Sequence, residues 1–149
     1  MPKCLVVWSA LLALTCACSS SATKPDMDAS ITALMARAEQ PDASVELQHV
    51  LIAFKGSGVP TATRTKEEAK KLAEQVYAEA IGGADFLGLV KKYTDDSAPG
   101  IYPMTKASRA GLVQAFGDVG FRLKAGEIGV AGYDPTVSPF GWHIIKRLK

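Results

Sequence analysis

The chain has 149 residues, is 48% hydrophobic and 21% charged, and carries a formal net charge of +2. That is the composition of one globular domain of ordinary size, with no charge excess that would draw it to nucleic acid. All three cysteines, Cys4, Cys16 and Cys18, precede residue 19, and His49 and His143 are the only two histidines, so neither a disulfide, a thiolate metal site nor a structural zinc is expected in the body.

Residues 1–17 read as a lipoprotein signal peptide. Lys3 supplies a positive start, and Leu5 to Ala17 is an apolar run of signal-peptide length, too short to span a bilayer comfortably. The run ends Leu14-Thr15-Cys16-Ala17-Cys18-Ser19-Ser20, which resembles a bacterial lipobox. Cys18, after the small Ala17, is the expected lipidation site, with Cys16 the second candidate; Thr15 stands where the pattern prefers leucine. Ser19, rather than aspartate, follows Cys18 and resembles outer-membrane sorting in bacteria with two membranes. The expectation is an exported, membrane-anchored lipoprotein facing the periplasm or the cell exterior. Residues 18–44 are polar and read as a tether. Ile31, Leu34, Met35 and Ala38 fall at the spacing of a weak helix over Asp28 to Glu39.

The body is expected over residues 45–149. Val45 to Phe54 and Trp142 to Arg147 are β-branched and apolar, and each contains one histidine. Paired in one sheet, the two strands bring the imidazoles together. Alternation places His49 on the face of Leu47 and Leu51, and His143 on the face of Ile145. Between them, Thr65-Lys66-Glu67-Glu68 is a capping box opening an amphipathic helix (Ala69, Leu72, Ala73, Val76, Ala80) that Gly82-Gly83 stops. Asp85 caps a second helix with the stripe Phe86, Leu89, Val90 and Tyr93. A short helix over Val113 to Phe121 and a strand over Ile128 to Gly132 complete the list, and Tyr133 to Val137 is the connecting loop.

Five fragments, in order, carry a resemblance: His49-Val50-Leu51-Ile52; Thr65-Lys66-Glu67-Glu68-Ala69; Asp85-Phe86 with Tyr93-Thr94-Asp95-Asp96-Ser97; Gly120-Phe121-Arg122-Leu123-Lys124-Ala125-Gly126-Glu127-Ile128; and Phe140-Gly141-Trp142-His143-Ile144-Ile145. Together the stretch from Glu46 to Leu148 resembles the parvulin family of peptidyl-prolyl isomerases. The resemblance implies an α+β fold, a four-stranded antiparallel sheet wrapped by about four helices, with the proline site on the concave side of the sheet. It implies that His49 and His143 lie on the two central strands and that Asp96 faces them, and it matches Leu112 and Phe116 to the walls of a proline pocket. Ser138 falls near a family hydroxyl that bonds one histidine. Without the family, Asp95 and Asp96 read as solvated carboxylates in the loop after a helix.

The implied activity is rotation about X-Pro bonds in unfolded or exported polypeptides, without cofactor, metal or covalent intermediate. The body has no cysteine nucleophile and no serine beside a recognisable base, no phosphate-cradling glycine loop and no basic nucleic-acid patch. Members that select a phosphorylated residue before proline use basic residues in the loop after the first strand. Here that loop reads Lys55-Gly56-Ser57-Gly58-Val59-Pro60, so no phosphate requirement is expected. A second departure is the segment Gly100 to Arg109, where many members have Gly-Asp-Leu-Gly and a link shorter by about two residues. It leaves open an alternative, a parvulin-fold chaperone or binding module with weak catalysis.

Overall fold

The computed structural model describes residues 24–149. In chain order the elements are α1 (Met27–Met35), β1 (Ser44–Ile52), α2 (Lys66–Ile81), α3 (Phe86–Tyr93), β2 (Ile101–Thr105), a 3₁₀ turn (Ser108–Gly111), α4 (Gln114–Gly120), β3 (Ile128–Ala131) and β4 (Trp142–Arg147). The strands form one antiparallel sheet in the order β2-β1-β4-β3. The two strands that hold the histidines are therefore its central pair.

Strands β1 and β4 are buried along most of their length because both faces of the sheet are covered. On one face Val50, Ile52, Val130, Trp142 and Ile144 form a core with α2 and α3. Helix α2 presents Ala69, Ala73, Val76 and Ala80 to it, and the short side chains let the helix lie close. Its capping box is complete: the Glu68 amide donates to Thr65 Oγ1 at 3.2 Å, and the Thr65 amide to Glu68 Oε2 at 2.8 Å. Asp85 caps α3 through the Gly88 amide at 2.8 Å. On the other face Leu47, Ile145 and Ala131 pack with Phe116, Val119, Phe121 and Leu123 from α4 and the turn after it.

From α1 onward the segment expected as a tether forms the helix also expected there, but docked on the body rather than free. Asp26 caps this helix, and its two buried side chains go to different cores: Met27 to the α2/α3 side and Leu34 to the α4 side. Helix α1 thus packs along the outer strand β3 and seals the seam between the layers. Residues 37–42 are pinned as well, by Arg37 on Glu127 (3.0 Å), Arg109 on Glu39 (2.7 Å) and Arg147 on Asp42 (2.8 Å). The physical reason is that only one face of this weakly apolar segment needs burial. The signal peptide 1–17, Cys18 and the tether up to residue 23 lie outside the described residues. Among the described residues no helix is long and apolar enough to cross a membrane.

Candidate functional site

Strand register decides how the histidines meet. His49 lies opposite Ile145, and His143 opposite Leu51, so the imidazoles are diagonal neighbours on one face, a separation that ring-sized side chains bridge. Their rings stack with planes 10° apart, and Nδ1 of one lies 3.1 Å from Nδ1 of the other. Gly141 makes this possible. It sits at φ 136°, and a Cβ there would fall 2.1 Å from the Ile52 carbonyl oxygen, so only glycine lets the start of β4 close against β1.

The loop after α3 brings the carboxylate. It is docked on β1 by the Leu51 amide donating to Thr94 Oγ1 (3.1 Å), the Asp95 amide to the Leu51 carbonyl (2.8 Å), and the Ala53 amide to Asp95 Oδ2 (2.8 Å). Arg64 also donates to Asp95 Oδ2. Asp95 is therefore a clamp, while Asp96 turns to the histidines, its Oδ2 3.0 Å from His49 Nε2. The two adjacent aspartates do different work: the resemblance singled out Asp96, and the clamping role of Asp95 comes from the structure.

On the other side, β2 is drawn to His49 by two hydrogen bonds: the His49 amide donates to the Gly100 carbonyl (3.0 Å) and Gln48 Nε2 to the Pro99 carbonyl (2.9 Å). A Cβ on Gly100, at φ 65°, would sit 2.7 Å from the His49 carbonyl oxygen. In this register Tyr102 lies opposite Leu47 and places its ring edge-on to His49, with centroids 5.1 Å apart. Its hydroxyl donates to Asp96 Oδ2 at 2.8 Å.

The electrostatics follow. Burial pushes His143 and His49 below the ordinary histidine range; the charge of His49 lowers His143 further, and Asp96 opposes both shifts without reversing them. Burial alone would raise Asp96, but hydrogen bonds from Tyr102, the Ser97 backbone and His49 together hold it below its ordinary value. An ionised Asp96 only accepts, so His49 carries its proton on Nε2 and offers a bare Nδ1. His143 must then donate from Nδ1, and its Nε2 is left as a buried acceptor with no partner among the described residues.

Above this pair opens a groove of about 330 Å³ lined by Leu51, Val59, Pro60, Leu112, Val113, Phe116 and Phe140 as well as by His49, Asp96, Tyr102 and His143. Phe116 is buried and meets His49 at 5.2 Å between centroids and His143 at 5.9 Å. Leu112 and Phe140 form the exposed rim. Of the expected site residues, His49, Asp96, His143, Leu112 and Phe116 thus converge. Ser138 does not join them: its buried hydroxyl donates to the Gly141 carbonyl at 3.2 Å, stabilising the turn before β4. Sequence reasoning left Tyr102 unassigned and missed Val59, Pro60 and Phe140. An aromatic two residues after a glycine in a short β-rich run was the one available signal for Tyr102.

An apolar groove over a histidine pair and one carboxylate, on a β2-β1-β4-β3 sheet, is the arrangement of a parvulin-type domain. Residues 29–149 match the family described as the PPIC-type PPIASE domain, and the chain belongs to this family of parvulin-type peptidyl-prolyl isomerases. It is 31% identical over 114 residues to "Foldase protein PrsA 1" of Lactobacillus johnsonii, covering 74% of this chain and 32% of that protein. It is 29% identical over 106 residues to "Chaperone SurA" of Pseudomonas fluorescens, covering 70% of this chain and 22% of the relative. The chain thus spans a third or less of the length of these two relatives. The solution structure of TbPIN1 shares the fold, with a TM-score of 0.58 at 23% identity over 72% of this chain and 99% of that one.

Proposed function

We propose that the chain is an active peptidyl-prolyl cis-trans isomerase that accelerates rotation about X-Pro bonds in unfolded, exported polypeptides, and that it does so without a covalent step. The observation that carries this reading is the contact of the Phe116 ring with both histidines on the floor of the apolar groove. A prolyl ring has no donor and is held by shape and burial, and Phe116, Leu112, Leu51 and Val59 supply that grip.

Rotation must break amide resonance, a barrier of about 18–20 kcal/mol. The twisted amide has less charge on its oxygen than the planar one, so an apolar surround that strips water from the carbonyl favours the twisted state. An acceleration of about 10⁴-fold requires a preference of roughly 5.5 kcal/mol. The neutral histidine pair supports this account, because a buried imidazolium beside the carbonyl would stabilise the dipolar planar form instead. No group has to attack or be attacked. His49, His143 and Asp96 shape the polar floor, and Phe116 and Leu112 hold the ring.

The amino-terminal sequence supports export and lipidation at Cys18. Incorporation of labelled palmitate that is lost in Cys18→Ala is the expected result. The test of function is isomerisation of unphosphorylated proline tetrapeptides by residues 19–149. Acceleration that Phe116→Ala abolishes is expected. A second reading, a holdase that uses the groove without useful catalysis, is supported by the name "Chaperone SurA" of one relative. A folded, inactive protein that still suppresses aggregation of an unfolded client would establish it instead.

A further inference from the structure

We infer that Tyr102 is a positioning residue of this site: its hydroxyl pins the Asp96 carboxylate in the orientation that accepts from His49, and through His49 it fixes which nitrogens of the histidine pair carry protons. The isomerase reading above is needed only for the activity arm of the test.

Asp96 requires such an anchor. It stands in the loop after α3 with its side chain one-third exposed, free on one side to rotate into water. Its side-chain donors are His49 and Tyr102, and both reach the same oxygen, Oδ2, at 3.0 and 2.8 Å. With the tyrosine hydroxyl gone, only His49 and the Ser97 backbone would be left to hold a partly solvated carboxylate.

Tyr102 is suited to the task on three counts. Its ring is wedged edge-on between His49 and Phe116, at 5.1 and 5.8 Å, so the hydroxyl has little freedom. Its placement is set by hydrogen bonds from the Gln48 side chain to the Pro99 carbonyl and from the His49 amide to the Gly100 carbonyl, not by Asp96 itself. Burial, then the hydrogen bond to Asp96 and its charge, push its hydroxyl up to about 12, so across neutral pH it is always a donor.

The other charged and titratable groups near Asp96 are accounted for. From β1 and β4 come His49 and His143. Within the loop, Asp95 turns its carboxylate away to the Ala53 amide and to Arg64, which precedes α2. Removing the tyrosine hydroxyl therefore changes the anchorage of Asp96 and leaves the rest of the array in place. The consequence reaches across the sheet: a loosened Asp96 no longer imposes Nε2–H on His49, and the Nδ1–Nδ1 bond loses its single direction.

The experiment compares the full chain in detergent micelles with Tyr102→Phe and, to keep an apolar wall without an aromatic ring, Tyr102→Leu. NMR without substrate reads the Asp96 carboxyl titration, the tautomers of both histidines and exchange of the His49 Nε2 proton. In both variants the Asp96 midpoint is expected to rise by about half a pH unit or more, and the His49 proton to exchange about tenfold faster. The tautomers should become mixed, as in an Asp96→Asn reference. With substrate, kcat should fall about three- to tenfold with little change in KM. A role in packing alone would lower the melting temperature while leaving titration, exchange and tautomers as in the parent chain, and that outcome overturns the inference. A parent chain without isomerase activity would overturn the proposed function, while the substrate-free measurements would still decide the role of Tyr102.

Discussion

His49 and His143 face each other through the same ring atom, Nδ1 to Nδ1 at 3.1 Å, an arrangement that works only while the pair shares a single proton between those two nitrogens. A second proton there would set two donors against each other inside the sheet.

The first prediction is therefore a pH dependence. Both histidines titrate below their ordinary value of 6.5 in the folded protein, chiefly through burial. Below about pH 6.5 the unfolded chain binds more protons than the folded one, so stability falls as pH falls, and it levels off only once the folded-state values are passed. The slope contributed is about 1.4 kcal/mol per pH unit for each histidine. Asp96 adds a loss of the same sign at lower pH, below its ordinary 3.8, because its folded value is depressed. Urea melts between pH 8 and 5 should show the histidine slope, and His143→Gln should reduce it.

Phe116→Ala removes a buried ring that forms the wall of the groove. Truncations of this kind cost about 3–5 kcal/mol, within the total stability of an ordinary domain. The variant should melt earlier, remain folded at low temperature, and lose at least about tenfold in isomerisation. Phe116→Leu should recover most of the stability and less of the activity; equal recovery of both would show that the ring acts only through packing.

A phosphoserine before proline should give no advantage. The groove loop contributes Val59 and Pro60, and Arg64 is already engaged by Asp95, while Asp96 leaves a carboxylate at the mouth. Rates on phosphorylated and unphosphorylated peptides of one sequence should be equal or favour the latter. A large gain on phosphorylation would contradict the assignment of this loop.

Gly141→Ala should be among the most damaging single changes. The added Cβ would collide with the Ile52 carbonyl from a left-handed backbone, at a cost of at least about 3 kcal/mol. Circular dichroism melts would register this directly, and a near-neutral result would mean that β4 can shift away from β1.

Deletion of residues 24–43 tests whether α1 belongs to the body. Met27 and Leu34 are each buried, and returning two such side chains to water costs about 3–6 kcal/mol. Residues 44–149 alone should unfold at markedly lower urea than 24–149.

Much of this architecture was legible before any coordinates. Strands β1 and β4 announced themselves by short β-rich apolar runs, α2 by its capping box, and α3 by Asp85 and its stripe, because each signal is local. The histidine pairing followed from strand alternation. What escaped depends on distant partners. The helix at α1 was expected but its docking was not: it is held by β3, and the residues after it by ion pairs such as Arg37 with Glu127, about ninety residues apart, which no local window registers. The contact of Tyr102 with Asp96 needs the register of β2 on β1. Ser138 stands at the expected place in sequence, but its hydroxyl turned to the nearer Gly141 carbonyl.

The order β2-β1-β4-β3 places the histidines on strands gripped from both sides, whereas Tyr102 rides on a strand with a single neighbour. An insertion in β1 or β4 would scramble the floor of the groove, whereas the exposed positions of β2 after Tyr102 can change while its free edge absorbs the difference. The sheet thus separates a part that must stay fixed from a part open to variation. Libraries aimed at new sequence preferences belong in residues 101–111, with Tyr102 and the buried Met104 held fixed.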